Sequence, residues 1–248
     1  MLLSDYDGTL TPIVDRPELA DLGPGTRKLL ETLSRRRDLS IGIISGRSLT
    51  DLKQMVGIAG ITYGGNHGLE IEGPRLSYLN PVAQELRPEL GALHQALSDA
   101  LGLIAGVWVE DKGLTLSVHY RQADEARAGE IGDILERKAG PLQASGKIWI
   151  AGGKKVYEVR PALAWNKGEV VALLASRWRQ AMGRDKVLPI FLGDDLSDED
   201  GFRAVARLDG ISILVSETDG ASAARYFLRS PAEVERFLGM VLEARGGQ

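Results

Sequence analysis

The segment LSIGIISGRSLTDL, residues 39–52, joins a short apolar run to the start of a helix. Leu39–Ile44 is a continuous apolar stretch with the composition of a buried strand. Ser48 and Asp51 have the spacing of a helix capping box, so we expect a helix to begin there. The intervening loop, Ser45-Gly46-Arg47, follows a strand tip, which is where ligands bind in open α/β sheets.

The alternation of strand and helix extends along the chain in both directions from this segment. Upstream, Leu2 and Leu3 begin a strand, and leucines at helical spacing in residues 29–33 follow Pro24-Gly25, which completes a βαβ unit. Downstream, the pattern predicts a helix at 166–178, a strand at 187–192, a helix at 198–208, a strand at 211–215 and a helix at 232–244. Because parallel strands need helical crossovers, we expect an α/β fold with a doubly wound, mostly parallel sheet.

The middle of the chain has a different pattern. Apolar residues recur every three or four positions from Val82 to Leu101, which predicts a helix with a start or kink at Pro88. A strictly alternating strand at 113–120, a helix near 125–138, and strand-like runs at 147–151 and 154–160 follow. This order is typical of an antiparallel sheet covered on one face. We therefore expect an inserted α+β domain at 81–160 and a main domain from 1–80 and 161–248.

The composition excludes several classes of protein. The formal net charge is −4 with no basic stripe, so neither nucleic acid nor an anionic membrane is expected as a partner. The longest apolar run, Leu101–Val109, is far short of the roughly 18 residues of a membrane-spanning helix. The chain has no cysteine, which favours a reducing compartment. We expect a soluble cytoplasmic protein. The sequence does not determine the oligomeric state and is compatible with a monomer.

Two acids lie one residue apart directly after the first predicted strand, in SDYDGTL. Carboxylates about 4 Å apart repel by several kcal/mol at an effective dielectric near 20, so either one is protonated or a cation lies between them. Asp5 and Asp7 beside Gly8 therefore suit a divalent cation, and Mg²⁺ prefers such oxygen ligands together with a substrate phosphate. An Asp-rich turn at a strand end is the alternative explanation.

A second acidic cluster, LGDDLSDED, follows the strand predicted at 187–192. Ser197 and Asp200 have capping-box spacing, so the acids at 198–200 can be explained by stabilisation of a helix N-terminus. Asp194 and Asp195 precede that expected cap and would repel each other without structural gain, which favours a functional role for this pair.

Two further segments suit phosphoryl transfer. Ser45 and the amide of Gly46 can hold phosphate oxygens, and Lys167, at the first turn of a predicted helix, can neutralise charge on a transferring group. Each has a structural alternative, because a serine before a Gly turn is often a cap and a lone lysine is usually a solvated surface charge.

The motifs DYDGTL, ISGR, WNKG and GDDLSDED, in this order, resemble the four motifs of the haloacid dehalogenase superfamily, and the insert resembles its αββαββ cap. The resemblance implies a catalytic core in which Asp5 is the nucleophile that forms an aspartyl-phosphate. It further implies that Asp7 is the general acid and then the base, and that Ser45 and Lys167 bind phosphate. The presence of Asp7 separates the chain from the dehalogenases proper.

The same resemblance implies a magnesium site. Asp5, the backbone carbonyl of Asp7, and Asp194 would hold the ion. Asp195 and Asp198 would support the metal shell, and Asp198 is expected to be the more important of these two.

A narrower resemblance, to the trehalose-6-phosphate phosphatases, covers nearly the whole chain through GGNHGLEIEG, VEDKG, VYEVRP, NKG and GDDLSDED. It implies that the cap recognises a sugar through Glu110, Lys112 and Glu158. Strand parity independently places Glu110 and Lys112 on one face. A solvated sheet face is the alternative for these residues. Arg47, Asn66 and His67 are expected to line the cleft, and His67 can equally be a structural residue.

These observations predict a magnesium-dependent phosphatase that converts trehalose 6-phosphate to trehalose and phosphate, with a small phosphosugar as its partner molecule. Enzymes with the same core and a different cap are alternatives: sucrose-phosphate phosphatase, mannosyl- or glucosyl-3-phosphoglycerate phosphatase, and phosphomannomutase. The cap acids favour a neutral sugar over a phosphoglycerate. A non-catalytic phosphosugar sensor is the alternative from another class, although the complete set of reacting residues disfavours it.

Overall fold

The apolar residues at the start of the chain form the central strand of an eight-stranded sheet. The computed structural model describes residues 1–14, 16–74, 76–153, 155–183, 186–218 and 220–244. Their contacts divide the chain into two units. The core unit comprises Met1–Tyr78 and Trp165–Gln248, and the insert unit comprises Leu79–Ala164.

The strands and helices are numbered in chain order. The strands are β1 Leu2–Ser4, β2 Ile41–Ile44, β3 Thr62–Gly65, β4 Glu70–Gly73, β5 Leu76–Leu79, β6 Trp108–Asp111, β7 Leu116–His119, β8 Ile148–Gly152, β9 Val156–Pro161, β10 Ile190–Gly193, β11 Ile211–Val215 and β12 Tyr226–Leu228. The α-helices are α1 Pro24–Ser34, α2 Leu49–Val56, α3 Pro81–Glu85, α4 Arg87–Leu101, α5 Ala128–Ala144, α6 Lys167–Met182, α7 Glu199–Arg207 and α8 Pro231–Ala244.

The large sheet has the order β12-β11-β10-β1-β2-β3-β4-β5. The strands from β12 to β3 pair in parallel, and β4 turns back antiparallel to β3. Apolar side chains of α1, α2 and α8 cover one face, and those of α6 and α7 cover the other. The predicted doubly wound, mostly parallel α/β fold is therefore confirmed. The strand predicted at 187–192 begins only at Ile190, because Pro189 has no N–H for the sheet.

The insert unit has its own sheet and its own core. Its four strands pair antiparallel in the order β6-β7-β9-β8. Apolar residues of α4 and α5 pack against one face of this sheet, where Leu116, Val118 and Val159 are buried. The predicted helix from 82 to 101 is two helices, and Pro88 lies in the first turn of α4, where its missing N–H costs nothing. The proposed insert, 81–160, falls within this unit.

Two features of the insert differ from the expected pattern. Helix α5 continues to Ala144, beyond the predicted end at 138. Thr115, just before β7, and Ser117, within it, alternate with the apolar residues of this segment and yet are buried themselves. Within the residues that the structure describes, no helix has both the length and the apolar character needed to cross a membrane.

Candidate active site

Three strand tips of the core unit bring distant acids and a serine together. Because β1 lies between β10 and β2 and all three are parallel, the residues after each strand meet at the carboxyl edge of the sheet. These residues are Asp5 after β1, Ser45 after β2 and Asp194 after β10. The side chain of Asn166 accepts hydrogen bonds from the backbone N–H groups of Gly168 and Glu169 and so caps α6.

Lys167, the first residue of α6, lies buried between two carboxylates. Its Nζ donates to Asp5 Oδ1 at 2.9 Å and to Asp198 Oδ1 at 2.6 Å, and all three side chains are buried. Burial by itself lowers the pKa of Lys167, but the charges of Asp198 and Asp5 outweigh it and raise the pKa above its ordinary value. The lysine is therefore a fixed positive charge beside Asp5, and the alternative of a solvated surface lysine is wrong.

Asp5, Asp194 and Asp198 form a group whose oxygens lie within 4.8 Å of one another. Burial raises the pKa of Asp194 to about 7, and the nearby carboxylate of Asp198 acts in the same direction. Burial likewise raises the pKa of Asp5 well above its ordinary value, with Lys167 opposing and the two other acids reinforcing. Three crowded carboxylates against one ammonium are a donor set that suits a divalent cation with oxygen ligands, such as Mg²⁺.

The capping box in this region differs from the one expected. Asp195, not Ser197, is the cap, and it caps the 3₁₀ turn Leu196–Asp198 that leads into α7. Its Oδ1 accepts from the backbone N–H of Ser197 at 2.8 Å, and Asp198 Oδ2 accepts from the N–H of Asp195 at 3.1 Å. Asp195 therefore has the structural role that the sequence interpretation denied it. Burial by itself raises the pKa of Asp195, but the charge of Lys167 and the hydrogen bonds with Ser197 and Asp198 outweigh burial and lower the pKa.

Asp198 connects the second acidic cluster to the lysine. Its Oδ1 accepts from Lys167, and its Oδ2 accepts from the backbone N–H groups of Asp194 and Asp195 at 3.0 and 3.1 Å. Helix capping alone does not explain this buried residue. Its oxygens orient both the ammonium and the strand tip that carries Asp194.

Gly8 provides the close approach between the first and the second acidic cluster. Its φ of +82° is in the left-handed region that favours glycine, and a Cβ at this position would collide with the carboxylate of Asp194. Thr9 Oγ1 also donates to Asp194 Oδ1 at 3.2 Å. The DGT turn thus both makes room for Asp194 and holds it.

Asp7 lies apart from this acidic group. Its Oδ2 and Oδ1 accept from Arg47 Nε at 2.8 Å and from an Arg47 terminal nitrogen at 2.5 Å. The side chain of Asp7 is 39% exposed, whereas Asp5 is buried. The structure therefore places Arg47 beside the second acid of the first motif.

The Ser45-Gly46-Arg47 loop is held by Asn66 and His67. The backbone N–H of His67 donates to the carbonyl of Ser45 at 2.8 Å, and that of Asn66 donates to the carbonyl of Arg47 at 2.7 Å. Both residues have positive φ, 49° and 58°, which side chains rarely adopt. A Cβ on Gly46 would meet the imidazole of His67 at 2.7 Å. The structure brings these five residues together, and the backbone of His67 has a structural role.

Glu70, in β4, is a supporting residue that the sequence interpretation missed. Its Oε1 accepts from Asn66 Nδ2 at 2.8 Å and from the backbone N–H of Leu49 at 3.0 Å. It thereby joins the strained turn at Asn66 to the first residue of α2. No local signal could have identified it, because its two partners precede it by 4 and 21 residues and lie in different elements.

The predicted sugar-binding residues lie together in the insert unit. The strand register aligns Glu110, Ser117 and Glu158 across three neighbouring strands, and Lys112 Nζ lies 3.7 Å from Glu158 Oε1. Two further polar residues of this face were not predicted to bind the sugar. His119 Nε2 is 2.7 Å from Glu110 Oε2, and Arg160 Nε donates to Glu158 Oε2 at 2.8 Å.

Comparisons with known proteins identify the family. The sequence profile of the family described as trehalose-phosphatase matches residues 3–232. The trehalose-phosphate phosphatase of Mycobacterium avium is 38% identical over 239 residues, which are 94% of this chain and 59% of that protein. The chain therefore spans less than two thirds of the length of this relative.

Solved structures agree on the fold. The crystal structure of a trehalose-6-phosphate phosphatase related protein superposes with a TM-score of 0.83 at 21% identity and covers 99% of both chains. A haloacid dehalogenase-like hydrolase from Bacteroides thetaiotaomicron superposes with a TM-score of 0.66 at 16% identity, over 97% of this chain and 98% of the other. The expected haloacid dehalogenase-like fold is confirmed. With the family profile matched over residues 3–232, this chain belongs to the trehalose-phosphatase family.

Proposed function

We propose that this chain is a magnesium-dependent phosphatase that hydrolyses trehalose 6-phosphate to trehalose and phosphate. The observation that carries the proposal is the buried Lys167 between Asp5 and Asp198, beside Asp194 and the Ser45 loop, in a chain of the trehalose-phosphatase family. A buried charge network of this kind is costly for stability alone, which favours a role in catalysis.

The reaction has two steps in this proposal. An oxygen of Asp5 attacks the phosphorus, the bond from phosphorus to the sugar oxygen breaks, and the leaving oxygen takes a proton from the Asp7 carboxyl. Water then attacks the phosphorus of the aspartyl-phosphate, Asp7 takes a proton from that water, and the bond to Asp5 breaks. Phosphate leaves and both carboxyls return to their starting forms.

The surrounding residues stabilise the phosphoryl group. Lys167 and Ser45, with the amide of Gly46, hold phosphate oxygens and offset the charge that develops on them. Asp5, the backbone carbonyl of Asp7 and Asp194 would hold a magnesium ion, which would supply Lewis-acid polarisation of the phosphoryl group. Asp195 and Asp198 orient this site through the hydrogen bonds described above.

We assign sugar recognition to the insert unit, with residues 81–160 as the cap and 1–80 with 161–248 as the catalytic core. Glu110, Lys112 and Glu158 lie on one sheet face and offer acceptors and a charged donor to sugar hydroxyls. In the core unit, Asn66 and His67 are assigned as substrate-binding residues beside Gly46.

The decisive experiment is phosphate release across a panel of phosphorylated mono- and disaccharides, with Mg²⁺ and with EDTA. We expect trehalose 6-phosphate to have the highest kcat/KM and EDTA to abolish turnover. Asp5→Asn should be inactive, with mass spectrometry excluding deamidation. Equal rates on all sugars would retain a phosphatase and reject the trehalose assignment, whereas tight binding without phosphate release would identify a sensor.

A further inference from the structure

Arg47 is anchored at several points besides Asp7. Its terminal nitrogen donates to the carbonyl of Pro17 at 2.7 Å, and its guanidinium lies 5.5 Å from the centroid of the Tyr6 ring. The Tyr6 ring is itself buried, and its hydroxyl donates to the carbonyl of Ala20. The Arg47 side chain is only 12% exposed. The guanidinium is therefore a fixed group and not a mobile surface charge.

The backbone of Arg47 is fixed as well. Its N–H donates to Ser45 Oγ at 3.2 Å, and its carbonyl accepts from Asn66 at 2.7 Å. A planar guanidinium that is held at both ends and donates through two nitrogens sets both the position and the plane of the carboxylate it binds. Because the Asp7 side chain is partly exposed, packing alone does not fix its rotamer. The bidentate hydrogen bond from Arg47 therefore orients the carboxylate.

Both carboxylate oxygens of Asp7 accept hydrogen bonds from the same guanidinium. This paired geometry fixes the direction in which the carboxylate faces. In the proposed reaction the same carboxylate takes a proton from the attacking water at the second step.

We propose that Arg47 is the positioning residue that orients Asp7 for hydrolysis of the aspartyl-phosphate, and that it is not primarily a ligand of the substrate phosphate. The inference rests on the proposed function, because it needs Asp7 to act as the base. The expected role of Arg47 as a cleft-lining, substrate-binding residue is thereby replaced by a more specific one.

The test separates the two steps with 4-nitrophenyl phosphate, whose leaving group departs as a stable anion without needing a proton. Rapid mixing with Arg47→Gln should release a burst of about one nitrophenolate per site, followed by turnover about 10–100-fold slower than wild type, a part of the ~10²–10⁴ that acid–base catalysis supplies. Acid quenching should trap phosphate on Asp5, detected by mass spectrometry. Asp7→Asn should give the same burst.

Two further variants make the test specific. The double variant Arg47→Gln/Asp7→Asn should be no slower than Asp7→Asn alone, because both changes remove one function. Arg47→Lys keeps the charge without the planar fork and should recover only part of the turnover rate. Circular dichroism and thermal melting check that each variant is folded, and Arg47→Lys replaces Arg47→Gln if the latter is not.

Several results would overturn the inference. If Arg47→Gln slows the burst itself and weakens inhibition by inorganic phosphate, Arg47 is a phosphate ligand. If the effects of the two single variants multiply in the double variant, Arg47 acts independently of Asp7. If Asp7→Asn turns over slowly and Arg47→Gln turns over normally, the role of Arg47 is rejected and the proposed function stands. Normal turnover by Asp7→Asn rejects the proposed function as well.

Discussion

Replacing Lys167 by methionine tests how strongly the buried ion pairs hold the core unit together. The substitution keeps most of the side-chain volume and removes the ammonium that donates to Asp5 at 2.9 Å and to Asp198 at 2.6 Å. Breaking a buried pair by removing one partner costs about 3–5 kcal/mol, because an uncompensated charge stays buried. Asp198 has no solvent exposure, so water cannot replace the lost bond without rearrangement.

This loss corresponds to a fall in Tm of about 6–20 °C, since 1 kcal/mol shifts Tm by roughly 2–4 °C in a chain of this size. The measurement is urea and thermal unfolding in EDTA, followed by circular dichroism. Hydrogen exchange of the α6 backbone reports on the core unit specifically, because the insert unit has a separate core. The loss should shrink at low pH, where neutral carboxyls no longer need the lysine.

Lys53→Met is the matched control. Lys53 Nζ lies 2.7 Å from Glu72 Oε1, a similar distance, but the two side chains are 41% and 53% exposed. Exposed pairs contribute at most about 1 kcal/mol, so the control should lose little. Equal losses in the two variants would refute the argument that burial makes the Lys167 pairs strong.

Three other perturbations test the acidic group and its supports. Burial raises the pKa of Asp194 to about 7, so without metal its contribution to stability is full below about pH 4 and is lost as the pH rises towards 7. Mg²⁺ should therefore raise Tm more at pH 8 than at pH 5. Equal Mg²⁺-induced Tm shifts at the two pH values would contradict this. Gly8→Ala forces a side chain towards Asp194 at a φ of +82° and should reduce the Mg²⁺-induced Tm shift, whereas Gly91→Ala, in open space on α4, should not. Glu70→Ala removes the acceptor of two hydrogen bonds and should lower the free energy of unfolding, measured by urea titration, by about 1–3 kcal/mol. The control Glu72→Ala, at an exposed position, should change it little. Similar losses in the two variants would show that the Glu70 hydrogen bonds do not stabilise the fold.

The parts of the site that could be predicted from sequence are those fixed by local patterns. A buried strand followed by a polar turn places its next residue at a sheet edge, so Asp5, Ser45 and Asp194 could each be assigned to a strand tip. Parallel pairing then requires these tips to share one edge. The hydrogen-bond partners of each acid could not be predicted, because an acid at a helix N-terminus has the same local pattern whether it caps the helix or binds a lysine. Asp195 caps a helical turn and Asp198 binds the lysine, and they lie two residues before and one residue after the expected cap at Ser197.

Several supporting contacts could not be predicted, because they depend on how neighbouring strands align. His119 meets Glu110 through the alignment of β6 with β7, which no local signal defines. Arg160 and Glu158 are different, because they lie two residues apart on β9 and share a face by strand parity. Arg47 binds Asp7 only because β1 and β2 are neighbours. The short strand β12 was missed for another reason: its three residues, Tyr226–Leu228, are too few for a periodic pattern, and two of them are exposed.

The position of β1 has a consequence for how the chain is made. Leu2 pairs with Ile41 on one side and with Ile190 on the other, and the amino group of Met1 donates to the carbonyl of Leu188. During synthesis β1 can therefore pair with β2 early but lacks its second partner until Ile190 has been made, about ten seconds or more later at ~5–20 residues per second. The insert unit, whose contacts are internal, can fold meanwhile.

Until β10 emerges from the ribosome, one edge of the apolar strand β1 remains open to other chains, and Asp5 directly follows that strand. Asp5 and Lys167 also come from opposite halves of the chain. A chain that has not been translated as far as Lys167 therefore cannot form this buried ion pair, so the order of the strands makes the first part of the core unit depend on the second.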